Sequence, residues 1–359
     1  MEKNLPIRWD LTAIADFDRH TDDWDRLATA VPASPFLESG FIRPLLAQFG
    51  TGKEQLACAR SGERAVGFAI LEPAGFGRWN TFQPSQLPVG PVVLAQGIPL
   101  EEAVSSLGSA LPATWLAIGM TQIDAHVHPM PASNGASAPS PYIQTAWVEI
   151  AGTYEAYWES RGKNLRQNAR KQRRKLAEES ITTRLEVLRD PADVAAAIAE
   201  YGVLESAGWK AGGGTAIHPD NAQGKFYRAM LENFLAAGRG RIYRYSFNDQ
   251  VVAFDLCIEN ADTLVVLKTA YDERVNKAYS PSTLMREEAF QQIWTEGRIR
   301  RVEFFGKIMD WHKRWTDNAR DLYHLTRFRW NWIKAIKDRS RATATPADPA
   351  TPPPSESAA

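Results

Sequence analysis

Residues Arg241–Asp272 read RIYRYSFNDQVVAFDLCIENADTLVVLKTAYD, and their punctuation decides the fold. The β-branched and aromatic runs Arg241–Phe247 and Gln250–Glu259 are separated by Asn248-Asp249, and Thr263–Asp272 follows after Asn260-Ala261-Asp262. Turn residues between β-prone runs predict an antiparallel meander. The chain next meets Ser280-Pro281, where Ser can cap exposed N–H groups and Pro suits a first helical turn, so a helix is expected from there to about Gly297. Val302-Glu303-Phe304-Phe305-Gly306 predicts one more strand.

Upstream, Asp190-Pro191-Ala192-Asp193 is a helix start, with Asp as cap, Pro in the first position and a second acid near the positive dipole end. That helix should run to about Ser206. Phe226, Met230, Leu231, Phe234 and Leu235 recur at helical spacing, predicting a helix over Pro219–Ala237 that Gly238 can end. In the first 130 residues, Trp24, Leu27 and Ala28 mark a helix, and Leu56–Arg60 and Ala65–Leu71 flank the turn Ser61-Gly62-Glu63 as a hairpin. A helix over Leu100–Leu111 and a strand over Thr114–Asp124 complete that half. Pro131–Pro141, PASNGASAPSP, has linker composition, which puts a domain boundary near residue 145. Arg341–Ala359, rich in Pro, Ala and Thr without apolar periodicity, is expected to be a disordered tail.

At 359 residues the chain can build two cores. Its 42 basic and 42 acidic residues balance, so no global charge selects a nucleic acid or a membrane. Cys58 and Cys257 sit far apart in apolar strand-like runs, which matches no zinc spacing and implies buried free thiols. The start, Met1-Glu2-Lys3-Asn4-Leu5-Pro6, has no apolar signal core, and no stretch is long and apolar enough to span a bilayer; a cytoplasmic location is expected.

The meander, helix and strand, with Glu205-Ser206-Ala207-Gly208-Trp209-Lys210 before them and Trp311-His312-Lys313-Arg314-Trp315 after them, resemble the GNAT acyltransferase superfamily. The similarity is to its CelD-like branch, named for cellulose biosynthesis and related to the Fem-type aminoacyl transferases. It covers residues 150–330 well and 20–150 loosely. It implies an α/β protein with tandem GNAT-like domains, each a mixed, largely antiparallel sheet flanked by helices: a degenerate copy over 1–145 and an acyltransferase domain over 146–340. The implied activity is N- or O-acyl transfer from acyl-CoA to an amine or hydroxyl, on a small molecule, a saccharide or a cell-envelope precursor, with no metal. The alternatives are Fem-like aminoacyl transfer from charged tRNA, or a silent GNAT-like module that binds an anionic polymer.

The resemblance places the donor between Leu264–Asp272, one of the two strands that GNAT proteins splay, and the helix from Ser280, whose first N–H groups can meet a phosphate. Ser280, Ser282, Thr283 and Leu284 are the cofactor-binding candidates, although the usual Gln/Arg-x-x-Gly-x-Gly/Ala pattern is missing and Ser282 stands where the CelD-like pattern has Gly. Alternation in the second strand sets Ala253, Asp255 and Cys257 against Val252, Phe254, Leu256 and Ile258. With a two-residue turn Asp255 would face Lys268, as base, as orienting group or as a structural ion pair; a three-residue turn would shift that pairing. Tyr271 is a candidate proton donor or a packing residue at a strand end.

Glu205, Trp209 and Lys210 match the CelD-like Glu…Trp-Lys segment: they either hold a polar acceptor or are a solvated pair beside a Trp that seals two helices. Lys313 and Trp315 match a family Lys and aromatic, which implies that Lys313 stabilises charge at the acyl centre. Its alternative is a surface cation stacked between Trp311 and Trp315. Residues 161–175, RGKNLRQNARKQRRK, hold eight basic residues and no acid, with Leu165, Ala169 and Leu176 as an apolar stripe. Arg170, Arg173 and Arg174 could there contact the phosphates of RNA or another polyanion, or simply solvate a helix. His126-Val127-His128 reads as a strand without a third metal ligand, and His312 as part of the aromatic cluster.

Overall fold

A computed structural model gives the fold and describes residues 6–30, 34–207, 217–276 and 278–343. Trp209, Lys210 and the tail after residue 343 lie outside the described residues. The chain begins β1 (Arg8–Ala13), α1 (Thr21–Ala28), α2 (Ser39–Phe49), β2 (Gln55–Ser61), β3 (Arg64–Pro73), β4 (Arg78–Thr81) and β5 (Val92–Leu94). It continues α3 (Leu100–Leu107), β6 (Ala117–Asp124), β7 (Ser137–Glu149), α4 (Tyr154–Ser160), α5 (Lys163–Glu178), β8 (Thr183–Leu188), α6 (Val194–Ala207) and α7 (Ala222–Ala236). It ends β9 (Gly240–Phe247), β10 (Gln250–Glu259), β11 (Thr263–Tyr271), α8 (Pro281–Glu296), β12 (Arg301–Phe304), α9 (Asp310–Trp315), β13 (Ala319–Phe328) and α10 (Asn331–Thr343).

Two compact units form, neither continuous in sequence. One comprises Met1–Val31, Thr51–Tyr142 and Leu322–Ala359; the other comprises Pro32–Gly50 and Ile143–Asp321. In the first, the strand order is β1-β2-β3-β4-β6-β13, with β5 also on β3 and only β4–β6 parallel. In the second the order is β8-β9-β10-β11-β12-β7, and only β11–β12 is parallel. Each unit therefore uses one plan: four antiparallel strands, a helix, a strand parallel to the fourth, and a closing antiparallel strand. The mixed, largely antiparallel sheets flanked by helices agree with the fold class expected from the sequence.

Each core follows from strand and helix periodicity. In the first unit Val104 and Leu107 of α3 pack with Trp9, Leu71, Ile118 and Leu325. In the second, Leu284, Met285, Phe290 and Ile293 of α8, with Leu165, Ala169 and Leu176 of α5, pack with Tyr245, Leu264 and Val302. Full burial of each Leu, Ile, Val, Met or Phe among them contributes about 1.5–3 kcal/mol.

The meander, the helix after Pro281 and the strand at Val302 form as expected, with Gly297 closing α8 in the left-handed region at φ 67°. Asp190 accepts from the Ala192 N–H and opens a short 3-10 turn ahead of α6. Other expectations need correction. α7 starts at Ala222, not near Pro219, because Asn221 caps it by accepting from the Gly224 N–H. Ser137–Pro141 of the linker-like stretch lies within β7. His126-Val127-His128 is a turn, because Asp124 takes the His126 N–H on its side chain and the Val127 and His128 N–H groups on its carbonyl.

Candidate active site

The second unit's parallel pair is short. β11 meets β12 only at Thr263–Val265 against Arg301–Glu303, while β11 stays paired to β10 as far as Tyr271. From Val266 onward no strand among the described residues pairs with the β12-side edge of β11. Lys268 and Thr269 lie on this stretch.

Two buried ion pairs stand beside it. Lys268 Nζ donates to Glu205 Oε1 at 3.0 Å and lies 5.4 Å over the Tyr227 ring. Glu205, near the end of α6 and 5% exposed, also accepts the Ile217 N–H at 2.7 Å. The other pair is Asp255 with Arg286: one guanidinium nitrogen lies 3.1 and 3.0 Å from the two carboxylate oxygens and donates to Thr269 Oγ1 at 3.0 Å. Thr269 donates in turn to Asp255. Burial pushes the Asp255 carboxyl up, and the Arg286 and Thr269 contacts pull it back only in part. Tyr201 lies near both pairs; its buried hydroxyl has no partner among the described residues. Burial raises it well above the usual phenol range, with Glu205, Tyr227 and Asp255 adding to the rise.

Of the two pairings left open by the sequence, the one that sets Asp255 opposite Lys268 does not form. Asp255 faces Thr269, and Lys268 falls opposite Leu256, because the register shifts by one residue between Leu256 and Cys257; on the turn side of that shift Glu259 faces Leu264 and Cys257 faces Val266. A second shift, at Val251–Ala253, breaks the alternation, so Val252 joins Ala253 and Cys257 in one core cluster.

One wall comes from β12 and α9. Arg286 lies 5.3 Å over the Phe304 ring and 4.9 Å over the Trp311 ring. His312 stacks on Trp311 with centroids 3.5 Å apart, and its Nδ1 accepts the Met309 N–H at 2.9 Å. Burial, helped by Arg286, lowers the imidazole to about 4, so it is neutral at physiological pH. Lys313 points to solvent beside Asp310 at 3.2 Å; the cation over Trp311 is Arg286. Trp315 is core, against Phe290 and Trp158. Tyr271 is 43% exposed at the end of β11.

The start of α8 is more closed than its sequence suggests. Ser280 Oγ makes no cap; it accepts from Gln172 Nε2 at 3.1 Å. The Ser280 carbonyl takes the Thr283 and Leu284 N–H groups, Pro281 has none, and the Leu284 side chain is core. In the first turn only the Ser282 N–H has no partner among the described residues. In the preceding loop the amides of Arg274, Val275, Ala278 and Tyr279 already donate to Asp272 or Asn276.

The basic helix splits in role. Arg173 is committed to α8, at 2.6 Å from Glu287 and 3.0 Å from Glu288, so it is not an open phosphate contact. Arg174 forms only an exposed pair with Glu178, and Arg170 is exposed. A separate shallow cleft, lined by Tyr157, Arg161, Trp315 and Asp317, contains neither buried ion pair. No group of three or more metal-ligating side chains occurs among the described residues. Sequence reasoning missed Arg286, Thr269 and Tyr201. Arg286 had a signal, since it falls on the buried stripe of α8 between Leu284 and Phe290.

No curated protein sequence matches the chain. Among solved structures, FemX superposes with a TM-score of 0.58 at 8% identity, covering 88% of this chain and 98% of that one. A protein of unknown function from Bacteroides thetaiotaomicron gives 0.56 at 13% identity over 90% and 100% of the two chains. The C-terminal domain of an Agrobacterium fabrum protein described as a lysylphosphatidylglycerol synthetase gives 0.54 at 13% identity over 92% and 97%. At these identities the likeness is one of fold. Residues 163–314, from α5 into α9 and including both buried ion pairs and the β11–β12 divergence, match the family model of the GNAT acetyltransferase domain.

Proposed function

We propose that residues 163–314 catalyse acyl transfer from a thioester donor to an amine or hydroxyl, with the reaction centre where β11 leaves β12. The observation that carries this reading is the parting of β11 from β12 after Val265 beside the Glu205–Lys268 pair. A donor arm laid along that edge of β11 would present its carbonyl to the polar cluster. Glu205 takes the proton of the attacking nitrogen or oxygen as the new C–N or C–O bond forms; Lys268, with Lys313 at the rim, offsets the oxyanion. Collapse breaks the C–S bond, and Tyr271 returns a proton to the thiolate. Asp255 acts as a positioning residue that holds Arg286 against Trp311.

A second reading, aminoacyl transfer from charged tRNA, is favoured by the amide groups around the start of α8. Most already have partners, which leaves few to cradle a pyrophosphate. Melting temperature measured with a panel of acyl-CoAs and with aminoacyl-tRNAs separates the two, because only a ligand of the folded state raises it. A rise with acyl-CoA that Ser282→Glu abolishes supports the first reading; a rise with aminoacyl-tRNA alone supports the second. Glu205→Gln keeps the Ile217 contact and should lower turnover about a hundredfold without changing donor binding. Wild-type turnover in that variant would remove Glu205 from the mechanism.

A further inference from the structure

The first unit carries an apolar surface at the end where β4 and β6 begin and β13 finishes. Gly75, Phe76 and Gly77 all have positive φ, at 77°, 48° and 71°, and Phe76 is 98% exposed. A bulky residue in the left-handed region is held there against its own sterics. The loop is well tied: the Arg78 N–H donates to Gly75 at 2.9 Å and the Leu116 N–H to Gly77 at 2.6 Å, and a Cβ on Gly77 would lie 2.4 Å from the Thr114 carbonyl. Phe76 is thus presented outward by an ordered turn.

The neighbouring segment adds to the same end. The Leu116 carbonyl accepts the Arg329 N–H at 2.9 Å, and Arg329 stacks on Trp330 at 4.6 Å. Trp330 and Trp332 are 42% and 58% exposed and stack at 5.8 Å, with Ile336, 54% exposed, one turn further along α10. The inner face of α10 is already used, with Ile333 against the Phe328 cluster and Lys337 over the Phe328 ring. Residues 329–339 contain four cations and one acid, Asp338, which is paired to Lys334 at 3.1 Å; Arg78 adds an exposed cation beside Phe76.

We propose that this end of the first unit docks on an anionic lipid surface, with Phe76, Trp332 and Ile336 entering the headgroup layer and the cations meeting lipid phosphates. Aromatic rings next to Lys and Arg suit that interface. A second copy fits worse, since a two-fold contact through this face would set cations against cations. No helix among the described residues is long and apolar enough to cross a membrane.

The test is co-sedimentation of the full chain with phosphatidylcholine vesicles, with and without phosphatidylglycerol. Binding is expected only with phosphatidylglycerol and should weaken as salt is added. Phe76→Gly suits the local backbone, so its melting temperature should hold or rise while partitioning falls about tenfold, the loss expected from one unburied aromatic ring. Trp332→Ser should act in the same direction. The proposal is overturned if the wild-type chain stays in the supernatant with phosphatidylglycerol vesicles at low salt, or if both variants sediment as wild type. Dimerisation without lipid that Phe76→Gly abolishes would equally overturn it, assigning the face to a second copy.

Discussion

Arg286→Met separates a structural from a chemical role for the buried cluster. Met keeps much of the aliphatic stem of Arg286 but strips Asp255, whose side chain is 3% exposed, of its counter-ion and leaves Thr269 as its remaining close donor. Deleting one partner of a buried pair costs about 3–5 kcal/mol. The lost cation contacts with Phe304 and Trp311 overlap with that figure and do not simply add. At roughly 2–4 °C per kcal/mol for a unit of this size, the melting temperature should fall by roughly 6–20 °C. The sign with pH follows from Asp255. Its folded carboxyl is already raised by burial, and losing Arg286 removes the main influence that lowers it, so it rises further. A carboxyl raised in the folded state binds its proton more tightly there than when unfolded, so acid favours the fold. Calorimetry should therefore find the deficit largest near neutral pH and shrinking as pH falls toward the acid range. Asp255→Asn added to Arg286→Met should restore most of the melting temperature at neutral pH. A drop under about 2 °C, or a deficit that does not change with pH, would refute a desolvated, charge-paired Asp255.

Three further outcomes can be checked. Lys313→Met removes an exposed cation whose pair with Asp310 contributes little, so melting should be unchanged while turnover on a verified substrate falls about a hundredfold; unchanged turnover would mark Lys313 as a surface residue only. Arg173→Gln should lower the melting temperature by removing the cation that holds Glu287 and Glu288 and leaving Glu288 with the Tyr245 hydroxyl, whereas Arg170→Gln with Arg174→Gln should leave it unchanged and flatten the salt dependence of any polyanion binding. His312 should titrate by NMR at about 4; because its folded value lies below the unfolded one, its contribution to stability is present above about pH 6.5 and is lost as pH falls toward 4.

Local chemistry made the β9–β11 meander, the Pro281- and Gly297-bounded α8 and the α6 start legible, because turn residues, Pro, Gly and cap residues act within a few positions of themselves. The resemblance carried by Glu205, Lys313 and the strand order led to the fold class for the same reason, since it too rests on consecutive residues. Pairing was not legible. A one-residue register shift between Leu256 and Cys257 moved Asp255 onto Thr269, and Lys268 pairs with Glu205, 63 positions away. The helix at 163–178 looked evenly basic, yet packing against α8 committed Arg173 to two glutamates and left Arg170 outside. The first turn after Ser280 read as an open row of donors, but the helix's own first turn sets the Ser280 carbonyl on two of them. Sequence spacing determines which groups lie on one strand or helix face. Which charges are buried together depends on contacts between segments far apart in the chain, and only the tertiary structure decides those.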